Sequence, residues 1–266
     1  MIKLIYHGQS VGAICKRIAT VSNEQIKAVN DREIPLWIDG VTVRWDSLWR
    51  GQSDIEINTQ ESVALARNKS ASRRALEGLC PTTWFNKWDV ELPCIVRPRK
   101  HFGGRKFFVC NSWPEFKRAR LTCKRGWYAS ELVNKLREFR VFVFQGEILA
   151  ISEKLPREIS HQVAWNLTLG GGSRTLRRAT WKDQVWSQPL ICAAREAIKR
   201  LRLDFGAVDI GWGTGQGSSL PRAFVFEVNT APGLAKEYTI KKVAEAFWKV
   251  GIKLEDQRLK RSRAND

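Results

Sequence analysis

One stretch limits what this chain can fold into more than any other. Residues 205 to 233 read Phe-Gly-Ala-Val-Asp-Ile-Gly-Trp, then a Gly/Ser-rich turn, then Phe-Val-Phe-Glu-Val-Asn-Thr-Ala-Pro-Gly. Two runs rich in aromatic and β-branched residues flank a polar turn, which is the pattern of two paired strands. Glu227 and Asn229 are two apart, so on a strand both side chains leave the same face. Asp209 sits among Ala207, Val208 and Ile210, where a lone carboxylate would be costly to bury. Three oxygen-bearing side chains converging across a hairpin suit Mg²⁺, which prefers carboxylate, carbonyl, water and phosphate oxygens. Asp209, Glu227 and Asn229 are therefore the expected metal ligands. The competing reading is an ordinary hairpin whose acids face solvent.

Composition narrows the class. A chain of 266 residues, 43% hydrophobic, can bury one or two cores. It has no apolar run long enough to span a bilayer and no signal-peptide pattern at Met1 to Gly8, so the expectation is a cytosolic protein with no membrane partner. The cysteines, Cys15, Cys80, Cys94, Cys110, Cys123 and Cys192, never occur at Cys-x-x-Cys spacing, which indicates neither a zinc site nor a redox motif. His7, His101 and His161 are scattered and suggest no triad. The formal net charge of +18 is the outlying feature. Basic residues gather at Arg97 to Lys106, Lys117 to Arg125, Arg174 to Arg178, Lys199 to Arg202 and in the tail from Lys253. Such a field attracts polyanions, so a nucleic-acid or acidic-protein partner stands against a merely solubilising surface.

Along the chain, periodicity predicts a strand at 2–6, a helix from Ser10 as N-cap to residue 19, and a second helix at Asn23 to Val29. A strand-like run over Ile34 to Trp45 is broken by the turn signal Asp39-Gly40. A helix pair fills Thr59 to Leu79, with Gly78 as its stop. Strand, glycine loop and strand are expected over Cys94 to Val109. Ser112 reads as the cap of a helix ending near Arg120, with Pro114 in its first turn. Arg140 to Phe144 and Ile148 to Ile151 read as strands joined at Gln145-Gly146, and Pro189 to Leu203 as an amphipathic helix. A last helix is expected from Thr239 to Val250, followed by a disordered basic tail.

These motifs together resemble the ATP-grasp superfamily, over roughly residues 60–250. The most specific parts are Asp209, Glu227-Val-Asn229 with Ala-Pro-Gly, and Glu131 with Glu138. The resemblance implies an α/β (α+β) fold in which two α/β subdomains clamp a nucleotide behind a short N-terminal α/β domain. The corresponding boundaries are 1–80 for the N-terminal domain, 81–131 for a small lid with the phosphate loop, 132–252 for the metal-bearing subdomain, and 253–266 for the tail. It implies ATP and Mg²⁺, as a pair of ions, held by Asp209, Glu227 and Asn229. Lys69, Arg97, Gly103 and Gly104 fall where the family contacts the ATP phosphates. Arg97-Pro98 stands where the family has Lys-Pro. Glu131, Leu132 and Val133 match the hinge that reads adenine, and Glu138 matches the ribose carboxylate. Arg140 and Lys154 match basic positions near the transferred phosphoryl group. Ala164 replaces the Arg of the Arg-x-Asn found in many peptide-ligase members, and Arg174 is the candidate to supply that charge. The implied activity is ATP-dependent joining of a carboxylate to an amine through an acyl phosphate. Two alternatives stay open at this point: a phosphotransferase acting on a hydroxyl, and a nucleotide-regulated nucleic-acid-binding protein.

Overall fold

The computed structural model describes residues 1–23, 25–99, 107–124, 126–156 and 172–265. The chain opens with β1 (Ile2–Tyr6), α1 (Gln9–Val21), β2 (Ile26–Asn30), β3 (Trp37–Trp45) and β4 (Gln52–Ile57). These strands pair in parallel in the order β2-β1-β3-β4. Ile2, Leu4 and Ile5 are buried on both faces of the sheet, as parallel strands require.

Three expectations fail here. The segment expected to be helical at 23–29 is instead β2. The helix before it ends at Val21, Asn23 turns the chain with φ 51°, and the fully buried Ile26 pairs beside β1. Asp39-Gly40 is not a hairpin turn either. Strand β3 runs through it with a register shift, and the Gly40 amide, at φ 104°, donates to the Asp54 carboxylate at 2.6 Å. The α1 helix is preceded by Gly8 at its N-cap position rather than by Ser10.

The expected helix pair is α2 (Gln60–Arg67) and α3 (Lys69–Ala75). Thr59 caps α2 by accepting from the Ser62 amide, and the Asn68 side chain caps α3 by accepting from the Ala71 amide. Each such cap stabilises by about 1 kcal/mol. One residue thus closes one helix and starts the next, which fixes the direction of Lys69.

A middle sheet follows: β5 (Thr83–Trp84), β6 (Cys94–Pro98), β7 (Phe108–Cys110) and β8 (Trp127–Glu131), in antiparallel order β5-β8-β6-β7. The helix α4 (Trp113–Thr122) packs on it. Ser112 sits at its N-cap position without a side-chain cap bond; Glu115 accepts from the Asn111 amide at 2.7 Å instead.

The remaining elements are β9 (Asn134–Phe144), β10 (Glu147–Leu155), β11 (Gly172–Leu176), α5 (Arg178–Trp181), α6 (Ser187–Arg200), β12 (Phe205–Thr214), β13 (Arg222–Asn229) and α7 (Glu237–Asn265). The five strands form an antiparallel sheet ordered β11-β10-β9-β12-β13. Gln145-Gly146 makes the tight turn between β9 and β10, both residues at positive φ. The tail expected to be disordered continues α7 as far as Asn265.

The two faces of this sheet differ. One carries Phe139, Val141, Val143, Val208 and Ile210 and is covered by α6, with Phe139 stacked on Trp186 at 4.4 Å. The other face changes character along its strands. At one end Phe142, Phe144, Phe205 and Ala207 pack with α7 and the N-terminal sheet, where Trp45 stacks on Phe205 at 5.1 Å. Farther along the same face stand Glu138, Arg140, Lys154 and Asp209.

Candidate active site

Register decides which candidates meet. Arg140 lies opposite Asp209, Asp209 opposite Glu227, Ala207 opposite Asn229, and Glu138 opposite Lys154. Arg140 donates through Nε and Nη2 to the two oxygens of Asp209, at 2.7 and 2.8 Å. Lys154 Nζ donates to Asp209 Oδ2 at 2.9 Å and to Glu138 Oε1 at 2.7 Å. Asn229 Nδ2 is 3.4 Å from Asp209 Oδ2. Lys135 holds the other oxygen of Glu138, and Lys69 reaches from α3 to Glu227 Oε1. A period-two strand pattern therefore delivers an alternating row of cations and carboxylates across four strands and one helix.

The electrostatics keep Asp209 and Glu227 ionised. Burial alone would raise the Asp209 carboxyl, but Arg140 and Lys154 outweigh it and hold the group well below its ordinary range. For Glu227 burial again acts upward, and Lys69, helped by Arg97, brings the value down. Burial pulls Lys154 downward, yet Asp209 and Glu138 overcome it and leave the ammonium raised. At Lys135 burial prevails over Glu138 and the value is lowered. Arg97 is lowered by burial despite Tyr128 and Glu227 nearby.

Both acids are thus carboxylates at neutral pH, the form a metal ligand must have. Among the described residues no three His, Cys, Asp or Glu side chains gather into a metal site by themselves. Mg²⁺ commonly takes one or two protein carboxylates and completes its shell with water and phosphate oxygens. With its amide nitrogen toward Asp209, Asn229 keeps its amide oxygen for such an ion. The donor set fits an ion that arrives with a polyphosphate.

The other expected residues divide. Leu132 and Val133 are the two-residue link between β8 and β9, joining the middle sheet to the five-stranded one. Glu131 just before them is buried, and its carboxylate accepts from the Thr82 amide at 2.9 Å and the Gln216 amide at 3.1 Å. It ties the start of the middle sheet to the β12–β13 turn. Glu138 is brought into the cluster, but both its oxygens are engaged by ammonium groups rather than turned outward. Arg97 lies at the end of β6 with its guanidinium over the Phe107 ring at 5.5 Å. Gly103, Gly104 and the 164–166 segment lie outside the described residues.

Arg174 is not brought to this cluster, which corrects the expectation that it supplies charge there. Strand β11 pairs Arg174 with Glu153 and Ser173 with Lys154, so Arg174 leaves the opposite face of the sheet. There it donates to Glu153 at 2.8 Å, beside Arg137, which stacks on Trp186 at 4.6 Å.

Three contributors escaped the sequence reading. Lys135 is one. Arg73, four residues after Lys69 on α3, donates to the Phe226 carbonyl at 2.7 Å, and its helical spacing from Lys69 was an available signal. Phe226 is the third. A bulge between Asp209 and Ile210 turns it onto the charged face. Its ring lies on Gly211, where an added Cβ would sit 2.4 Å from the ring, and Lys135 Nζ stands 5.6 Å from the ring centre. Gly213 likewise admits the Asn134 carbonyl, which a Cβ would meet at 2.2 Å.

No family model matches the sequence, and no curated protein does. Solved structures match over nearly its whole length. D-alanine–D-alanine ligase from Bacillus anthracis is 14% identical, covers 97% of this chain and 99% of its own, and superposes with a TM-score of 0.65. The ATP-grasp ligase PsnB, in complex with a minimal precursor, is 13% identical, with coverage of 94% and 98% and a TM-score of 0.64. The fold is ATP-grasp. The macrocyclase MdnC of Microcystis aeruginosa, bound with precursor peptide MdnA, shares it at 11% identity, 95% and 100% coverage and a TM-score of 0.61. At these identities the likeness is one of fold. The ligase from B. anthracis has also been solved with ATP, and PsnB with Mg and ADP.

Proposed function

We propose that this chain is an ATP-dependent ligase that joins a carboxylate to an amine, using ATP with a pair of Mg²⁺ ions. The observation that carries the reading is the Asp209–Glu227 pair, set face to face across β12 and β13 and flanked by Arg140, Lys154 and Lys69, on an ATP-grasp fold. Asp209, Glu227 and Asn229 would hold the ions, which neutralise phosphate charge. Lys69 and Arg97 approach the polyphosphate from α3 and from the middle sheet. Arg140 and Lys154 stand where they can offset charge that builds on the transferred phosphoryl group. Leu132 and Val133 present the link backbone to the adenine edge, and Phe226 offers an apolar floor.

The reaction needs no side-chain nucleophile. A carboxylate oxygen of the substrate attacks the γ-phosphorus and ADP departs, leaving an acyl phosphate. The amine then attacks the acyl carbon, phosphate departs, and the amine loses a proton. Exclusion of water protects the acyl phosphate between the two steps.

The test is a screen of carboxylate and amine pairs, with and without nucleic acid, read as ADP release and product mass. The expected result is Mg²⁺-dependent ADP release that requires both substrates, with an amide product. Glu227→Ala should abolish it while the circular dichroism stays unchanged. A stable phosphorylated acceptor, or undiminished ADP release in that variant, would overturn the reading.

A further inference from the structure

The contact between Lys69 and Glu227 carries a consequence for the order in which ligands enter. The two carboxylates of the pair are held differently. Asp209 has Arg140 on both oxygens and Lys154 on one, and its side chain is 7% exposed. Glu227 is 33% exposed, and the ammonium of Lys69 sits on its Oε1. The helix that carries Lys69 does not depend on this ion pair for its docking. Arg73, one turn later, holds the neighbouring Phe226 carbonyl and lies over the Tyr128 ring at 5.7 Å. Lysine is a point charge on a flexible four-carbon stem, able to exchange one anionic partner for another. Backbone-anchored Arg73 is the fixed attachment and Lys69 the releasable one.

We propose that Lys69 and the divalent ion compete for the Glu227 carboxylate, so that the ion enters together with the polyphosphate rather than ahead of it. The inference rests on the nucleotide and metal reading given above. Phosphate oxygens offer Lys69 another anion, and its departure frees Glu227 for the ion. The same lysine that competes with the metal in the absence of phosphate becomes a phosphate contact in its presence. By reciprocity, polyphosphate raises affinity for the ion by the factor with which the ion raises affinity for polyphosphate.

Divalent manganese, whose free form is counted by electron paramagnetic resonance, tests this on the full-length protein. Wild type should bind Mn²⁺ weakly without nucleotide and more tightly with a β,γ-imido ATP analogue. Lys69→Met should bind free Mn²⁺ at least about tenfold more tightly than wild type, because a like charge beside the ion has gone. Lys69→Arg, which keeps the charge, should stay close to wild type. Equal affinity for free Mn²⁺ in wild type and Lys69→Met, with both melting cooperatively, would overturn the competition. So would wild-type affinity that is unchanged by the analogue, a comparison that needs no variant. If wild type binds no Mn²⁺ even with the analogue, the proposed nucleotide–metal site itself falls.

Discussion

Replacing Asn58 with alanine should cost far more stability than a change at the end of a strand ordinarily would. Asn58 is fully buried just after β4 and has φ 63°. Its side-chain nitrogen donates to the Phe205 carbonyl at 2.9 Å, and its side-chain oxygen accepts from the amides of Asp204 and Phe205 at 2.9 and 3.0 Å. Its own amide donates to the Asp204 carboxylate at 2.8 Å. Alanine removes three of these four bonds and strands two backbone donors and one acceptor. Taking the low end of the cost of a buried unsatisfied group for each gives a loss of about 3 kcal/mol. The left-handed backbone adds about 1 kcal/mol for alanine, which asparagine tolerates better. Asn58→Gly accommodates that backbone and isolates the hydrogen-bond part. Urea unfolding followed by tryptophan fluorescence, with the slope unchanged, reads the loss as a shift in midpoint. A loss below about 1 kcal/mol for Asn58→Ala would refute the claim that this clamp joins the N-terminal sheet to the start of β12.

Acid should weaken the fold through two carboxylates of the site and one, Glu153, on the opposite face of the same sheet. Asp209, Glu227 and Glu153 are held below their ordinary values of 3.8, 4.5 and 4.5, so the stability they contribute is complete above those values and is lost as pH falls through the depressed ones. The urea midpoint should hold down to about pH 5 and then drop, and less steeply in Asp209→Asn; equal slopes would remove Asp209 from the account. Arg174→Ala should leave ADP release within about twofold of wild type and cost no more than about 0.5 kcal/mol, since its guanidinium is largely exposed and turned from the cluster. A large loss of turnover would restore it to the site. Native protein should take one maleimide, at exposed Cys192, because Cys94, its thiol pushed up to about 12, and the other four are buried. Further adducts before unfolding, seen by mass spectrometry, would contradict that packing.

What could be read from residues alone follows from the range of the signal. Asp209, Glu227 and Asn229 were legible because a strand's period of two is local, and a hairpin brings its own two strands together. The helix pair and Gln145-Gly146 were legible for the same reason, each being written in a few neighbouring residues. Arg174 was misplaced because its direction depends on one step of register between β10 and β11, which no local pattern states. Phe226 was missed because a bulge, not alternation, sets its side. Residues 23–29 were misread because Ile26 gains more from pairing beside β1 than its neighbours lose in helix preference. Lys135 and Arg73 look like surface cations in sequence, and only the docking of β9 and α3 makes them otherwise.

The sheet face that passes from aromatic to charged has a practical meaning for anyone dividing this polypeptide. The acids at 209 and 227 share their supporting surface with Trp45 and the first strands, so a fragment starting at Thr59 would leave Phe142, Phe205 and Phe247 wetted on one side. The β12–β13 hairpin is therefore no transplantable cassette, and a graft into another scaffold must bring a substitute for the first 58 residues, Asn58 included.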